Sequence, residues 1–381
     1  KLRGLSLLQP FKRDTLSATQ LQHNVNEDFF KDYTEQDASD DTLLYTTLGL
    51  LEPGTDLLNV YRALYSEQVA GYYDSETREM YVVQGSGFNG TERMTYAHEF
   101  THTLQDQHYD MRGRLNITDE YCREHGEYCS AVTALMEGDA VSSEQEWFYT
   151  YGSEADRRQV QDFYGTYESP VYDASPEFIK QDLLFPYQQG FEFVQTLYDQ
   201  GGWQAVDAAY GNPPVSTEQI LHPALYPQEV PLDVPEPELK ASLGSDWRLA
   251  GEGSLGEWYT TLLLSAGWDS SWRLTVKDAA EAAAGWGGDH YLLYQKINDP
   301  AMFAFVIEWK WDTLEDANQF WKALTDMGKN RWGTPLRESS MDVRWEYQDG
   351  SQVSMHYTQQ GTRWVIASNQ TVLNQIAGII K

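Results

Sequence analysis

The sequence predicts an α+β protein of two units, and three observations carry that expectation. Apolar residues keep helical spacing through most of the chain as far as Leu221, interrupted by one alternating stretch around Tyr72. Prolines then recur among acidic and apolar residues from Pro223 to Pro237, a composition suited to an extended connection over the surface. Beyond it, short strand-like runs alternate with helical ones, the pattern of an antiparallel sheet with helices on one face. The expected division is a helical opening region at 1–65 packing on a core unit at 66–223, a proline-rich linker at 224–245 and a smaller α+β unit at 246–381. A chain of 381 residues is long enough for two cores.

Within the opening region, residues 17–65 hold three helical stretches, broken by the acidic run at 37–41 and by Pro53-Gly54. Residues 69–73 and 80–83, separated by polar residues 74–79, read as a β-hairpin. The strand at 80–83 is the edge on which an extended peptide is expected to lie. Gly85-Ser86-Gly87 and Asn89-Gly90 form a loop before a helix at 92–109, whose apolar stripe includes Ala97, Phe100 and Leu104. A polar connection carrying Cys122 and Cys129 follows, then helical pattern at 130–149 and through 175–210. Ser216 and Gln219 suit a capping box on a short helix that Pro223 ends.

In the last unit, helices are expected at 255–266, 276–284 and 314–327, and strands at 291–296, 303–311, 343–347, 352–357 and 362–367. The glycine-rich stretch 285–291 precedes a strand rather than the helix a phosphate loop requires, so it reads as a structural turn.

The net charge of -31, from 58 acids and 27 bases, excludes a nucleic-acid backbone as partner, because phosphates would be repelled. No apolar run is long enough to span a bilayer, and the opening Lys1-Leu2-Arg3 is followed by no signal-like apolar stretch. Cys122 and Cys129 lie close enough in sequence to close a short disulfide loop worth roughly 2–3 kcal/mol in an oxidising compartment. Sequons at Asn89, Asn116 and Asn369 agree with an extracellular or cell-surface location. The Asp37, Asp40 and Asp41 cluster lacks the alternating ligand spacing of a calcium loop.

The chemistry concentrates at His98, Glu99 and His102. Four residues apart on a helix, the two histidines lie about 40° apart and one turn up, facing the same ion, a spacing suited to two tetrahedral positions on Zn2+. Glu99 points beside the metal, where it serves as a base toward water. Two residues compete for the third position. An unbroken helix carries His108 about 240° round and roughly 9 Å along the axis, and Gln105 stands where a turn-making glycine would be needed to bring it back. Glu137, between apolar Met136 and Gly138 and with thirty-four residues between it and His102, is costly to bury unless paired or bound to metal, and is the favoured ligand. Gly138 and Ala140 would let its helix pack closely on the first. Asp106 and Asp139 are candidates to orient the histidine rings from behind.

The segments at 98–102 and 135–140 resemble the two metal-binding helices of the gluzincin metallopeptidases, the peptidase MA-like group included, and the likeness extends over residues 69–223. The resemblance implies a zincin-like fold for the core unit, a Zn2+ cofactor and a peptide or protein substrate. Tyr187, in Tyr187-Gln188-Gln189-Gly190, is similar to the tyrosine of the tyrosine-x-x-glycine segment that stabilises the tetrahedral intermediate in the aminopeptidase lineage, although that lineage usually has lysine where Gln189 stands. Residues 213–223 look like a segment of uncharacterised prokaryotic zincin-like proteins, which implies His222 as a second donor to the oxyanion; by its own residues the stretch reads rather as a capped helix that His222 ends. The leading expectation is an extracellular zinc peptidase. The alternative is a non-enzymatic surface, adhesive or filament-forming protein, with the aromatic-rich last unit serving attachment or self-association.

Overall fold

The structure, a computed structural model, describes residues 2–85, 87–236, 239–358 and 361–377. The fold is mixed α+β with two separate sheets. It opens with β1 (Lys12–Leu16), a strand in a region expected to be helical, and continues through α1 (Ala18–Asn24), α2 (Glu35–Leu48) and α3 (Leu57–Gln68). The acidic run at 37–41 does not break a helix. Thr34 and Asp37 cap each other reciprocally and start α2 ahead of it. Asp40 is then taken by Arg248 and Asp41 by the Tyr33 hydroxyl, so these acids are spent on structure.

β2 (Gly71–Asp74) and β3 (Glu79–Val83) form the expected antiparallel hairpin, and β1 adds to β3 in parallel, giving the order β1-β3-β2. The expected substrate edge is corrected by this pairing. β3 is central with both sides occupied, and β1 and β2 are the outer strands.

α4 (Gly90–Tyr109) starts at the reciprocal cap of Asn89 and Glu92. α5 (Asp119–Glu124) and α6 (Gly126–Glu146) are linked by the Cys122–Cys129 disulfide. α7 (Glu154–Thr166), α8 (Pro170–Ala174), α9 (Glu177–Gly201), α10 (Trp203–Gly211) and α11 (Thr217–Leu221) complete the helical unit. Ser216 caps α11 through the Gln219 amide, but the Gln219 side chain accepts from Val215, so no reciprocal box forms.

The linker is more ordered than its prolines imply. Val234 is buried, the Leu232 amide bonds to the Gly287 carbonyl, and α12 (Leu239–Leu243) lies within it. Pro237 and Glu238 of this stretch, and Ser86 of the glycine loop, lie outside the described residues.

The last unit comprises β4 (Trp247–Gly253), α13 (Gly256–Ser265), α14 (Val276–Ala283), β5 (Trp286–Lys296), β6 (Asp299–Trp311), α15 (Leu314–Trp332), β7 (Arg337–Glu338), β8 (Asp342–Glu346), β9 (Gln352–Tyr357), β10 (Gly361–Ala367) and α16 (Gln370–Ile376). Its strands form one antiparallel sheet of order β4-β5-β6-β10-β9-β8-β7. The glycine-rich stretch is the bulged start of β5, with a register shift between Trp286 and Gly288, rather than a free turn.

Both faces of this sheet are covered, whereas helices were expected on one. Alternation along β6 sends Phe305, Ile307 and Trp309 into a core with Leu262 of α13 and Phe320 of α15, and sends Ala304 and Val306 against Leu243 of α12 and Ile376 of α16. The first core also contains Leu44, Leu48, Leu50 and Leu51. The opening region therefore packs on the last unit as well as on the core unit, where β1 joins β3, and Arg331 reinforces the former contact by donating to the Leu48 and Thr47 carbonyls. Among the described residues no helix is long and apolar enough to cross a membrane.

Candidate metal centre

α4 and α6 pack against each other and bring His98, His102 and Glu137 to one point. The Nε2 atom of His98 lies 3.1 Å from Glu137 Oε2 and 3.2 Å from His102 Nε2, and His102 Nε2 lies 3.3 Å from the same oxygen. A tetrahedral ion with bonds of about 2.0–2.1 Å spaces its ligand atoms about 3.3 Å apart, so this triangle matches one face of a zinc site.

The hydrogen bonds behind the rings decide which nitrogens would face an ion. His98 Nδ1 donates to Glu144 Oε2 at 3.0 Å and His102 Nδ1 to Gln105 Oε1 at 2.8 Å. With those protons placed, both Nε2 atoms present lone pairs toward the Glu137 carboxylate. Three acceptors in contact need a cation or a proton among them, and without an ion it is His98, its pKa raised, that carries the proton.

The two ring partners escaped the sequence reading. Glu144 sits seven residues beyond Glu137, two turns along the same face of α6, and that spacing is the signal that marks it. Gln105 is buried one turn beyond His102, and its side-chain amide donates to the Met136 carbonyl and to Asp139 Oδ2. Asp139 thus acts through Gln105 rather than on a ring. It also accepts from Tyr210 at 2.9 Å and from Arg3 at 2.5 Å, so a buried chain runs from Arg3 through Asp139 and Gln105 to His102. Asp106 does not join it; its carboxylate takes the Tyr73 hydroxyl and the Met111 amide at the end of α4. His108 bonds to the Ser6 carbonyl on the outside of the helix.

Gly138 packs on α9 rather than on α4. A Cβ there would stand 2.1 Å from the Gly190 carbonyl oxygen, and one on Gly190 would stand 2.0 Å from that of Ala134, so only glycine permits this crossing. The crossing brings Tyr187 beside the site, its ring 6.1 Å from that of His98. Tyr187 lies in the middle of α9, immediately after Pro186. Glu137 and burial, with Glu99, push its pKa well up, so the phenol stays protonated and able to donate.

Glu99 is 6% exposed, and the start of β2 at Gly71 packs on it. Burial raises its pKa, partly offset by His98 and His102. Burial works against ionised Glu137 too, but the two histidines prevail and hold it low. Burial likewise opposes charging of His98, and its bonds to Glu137 and Glu144 prevail and raise its pKa.

His222 is not brought to this cluster. Its Nε2 pairs with Glu257 of α13 at 2.8 Å, which, with burial opposing, raises its pKa.

Residues 247–377 match a family described only as a domain of unknown function (DUF8575). The match runs from the first residue of β4 to the residue after α16, and His98, His102 and Glu137 fall outside it. Neither the curated proteins nor the solved structures contain a match to the chain.

Proposed function

We propose that the chain is a zinc-dependent peptidase of the gluzincin kind, with His98, His102 and Glu137 holding the ion and Glu99 acting as general base. The observation that carries this reading is the triangle of Nε2, Nε2 and Oε2 atoms 3.1–3.3 Å apart. Zinc bound there would supply a Lewis acid that lowers the pKa of water from 15.7 toward ~7 and polarises a substrate carbonyl. Glu99 takes the proton of the attacking water and returns it to the leaving amine; its raised pKa favours that return. Tyr187 donates to the developing oxyanion, a contribution of roughly 3 kcal/mol. An extended peptide pairs along β2, the one of the two outer strands that begins against Glu99. The disulfide and the charge of -31 fit an extracellular setting.

Digestion of casein by the full chain, with metal analysis of the same sample, tests the proposal. Glu99→Gln is expected to lose on the order of 10²–10⁴-fold in turnover while retaining zinc. Undiminished cleavage by that variant would reject the mechanism, and a zinc-loaded wild type that cleaves nothing would favour the adhesive alternative.

A further inference from the structure

We infer a second cation site, selective for Ca2+, where the two units meet: Glu218 of α11, Glu229 of the connection that follows and Asp312 just beyond β6. One carboxylate oxygen from each lies within 4.8 Å of the other two. Glu218 is 2% exposed, and its Oε1 is buried with no hydrogen-bond partner among the described residues. A carboxylate so placed is costly unless it is neutralised or bound to a cation.

The other two acids point the same way. A carboxylate oxygen of Asp312 lies within 4.8 Å of one of Glu229, and because ionised carboxylates only accept, such closeness calls for a proton or a cation between them. The basic groups nearest in sequence are engaged elsewhere, Lys310 with the Asp233 carbonyl and His222 with Glu257.

The donor set chooses the ion. All three donors are oxygen, without the nitrogen or sulfur that zinc favours. They come from a short helix, a loop and a strand end, an irregular arrangement that suits the long bonds and flexible geometry of Ca2+ better than the strict octahedron of Mg2+. Asp312 is exposed, so water can complete the six to eight positions Ca2+ requires. Because Glu218 and Glu229 precede β4 and Asp312 lies within the last unit, the ion would tie the two units together.

Calorimetric titration of CaCl2 into the zinc-loaded full chain tests the inference, with thermal melts on the same samples. We expect one equivalent of Ca2+ to bind and the Tm to rise by about 5 °C at saturation, with a smaller rise in equal MgCl2. Asp312→Asn combined with Glu229→Gln should weaken Ca2+ binding at least ~50-fold, and exposed Asp312→Asn alone should do so in part if the double variant does not fold. His98→Ala should leave the calcium response unchanged, which separates this site from the helical one. Absence of binding at millimolar CaCl2, equal stabilisation by MgCl2, or unaltered affinity in the folded variants would overturn the inference and assign the contact to a shared proton.

Discussion

At the helical triad each histidine has a partner behind it: Glu144 fixes His98, Gln105 fixes His102, and Asp139 with Arg3 fixes Gln105. At the junction, Glu218 has no partner for its buried oxygen among the described residues, and its neighbours come from a loop and a strand end. A small ion held by imidazole lone pairs needs direction, which rigid helices and backing hydrogen bonds supply. A large ion held by oxygens tolerates looser donors. What surrounds an acidic cluster is therefore as informative as the cluster itself.

The comparison can be broken most sharply at the ligands. His102→Ala should reduce zinc affinity on the order of 10³-fold, read by metal analysis after dialysis, while leaving the Tm response to calcium intact. Loss of both responses together would mean that the two clusters are not independent.

Arg3 tests how far the support of the triad extends. Arg3→Met leaves Asp139 buried without its charge partner and should cost about 3 kcal/mol of stability, seen as a lower Tm. A Tm equal to wild type would show that the chain from Arg3 carries no weight.

Glu127 probes the junction by pH. Burial raises its pKa from 4.5 to about 8, against the bonds from Thr217 and with Asp289 and Glu257 reinforcing. The folded form therefore holds a proton that the unfolded form has lost. This stabilisation is fully present below pH 4.5 and disappears as pH rises through about 8. Glu127→Gln should flatten a fall of a few kcal/mol across that range in denaturant melts, and an unchanged pH profile would place the titration elsewhere. The smallest expected effect is that of Glu144→Gln, a ~10–100-fold weakening of zinc binding with His98 still ligating. An affinity equal to wild type would remove Glu144 from the site.

Much of the helical site was legible because its spacing is local. His98 and His102 share one turn, and a glutamate flanked by Met136 and Gly138 stands out by the cost of burying it. Gln105 was read only as a missing glycine, since its bonds to His102 and Asp139 exist once α4 and α6 have packed. β1 was missed because four of its five residues are exposed and its pairing with β3 is long-range, leaving no alternation to read. Helices on both faces of the large sheet were missed because α12 and α16 are too short to mark a period. The junction site was illegible for the same physical reason: its three acids meet only after the two units dock.

Anomalous diffraction at the zinc edge from crystals of the full chain tests the central claim most directly. One peak is expected about 2.1 Å from His98 Nε2, His102 Nε2 and a Glu137 oxygen, with the Nδ1 atoms still bonded to Glu144 and Gln105. No peak there, or a peak whose third ligand is another residue, would contradict it.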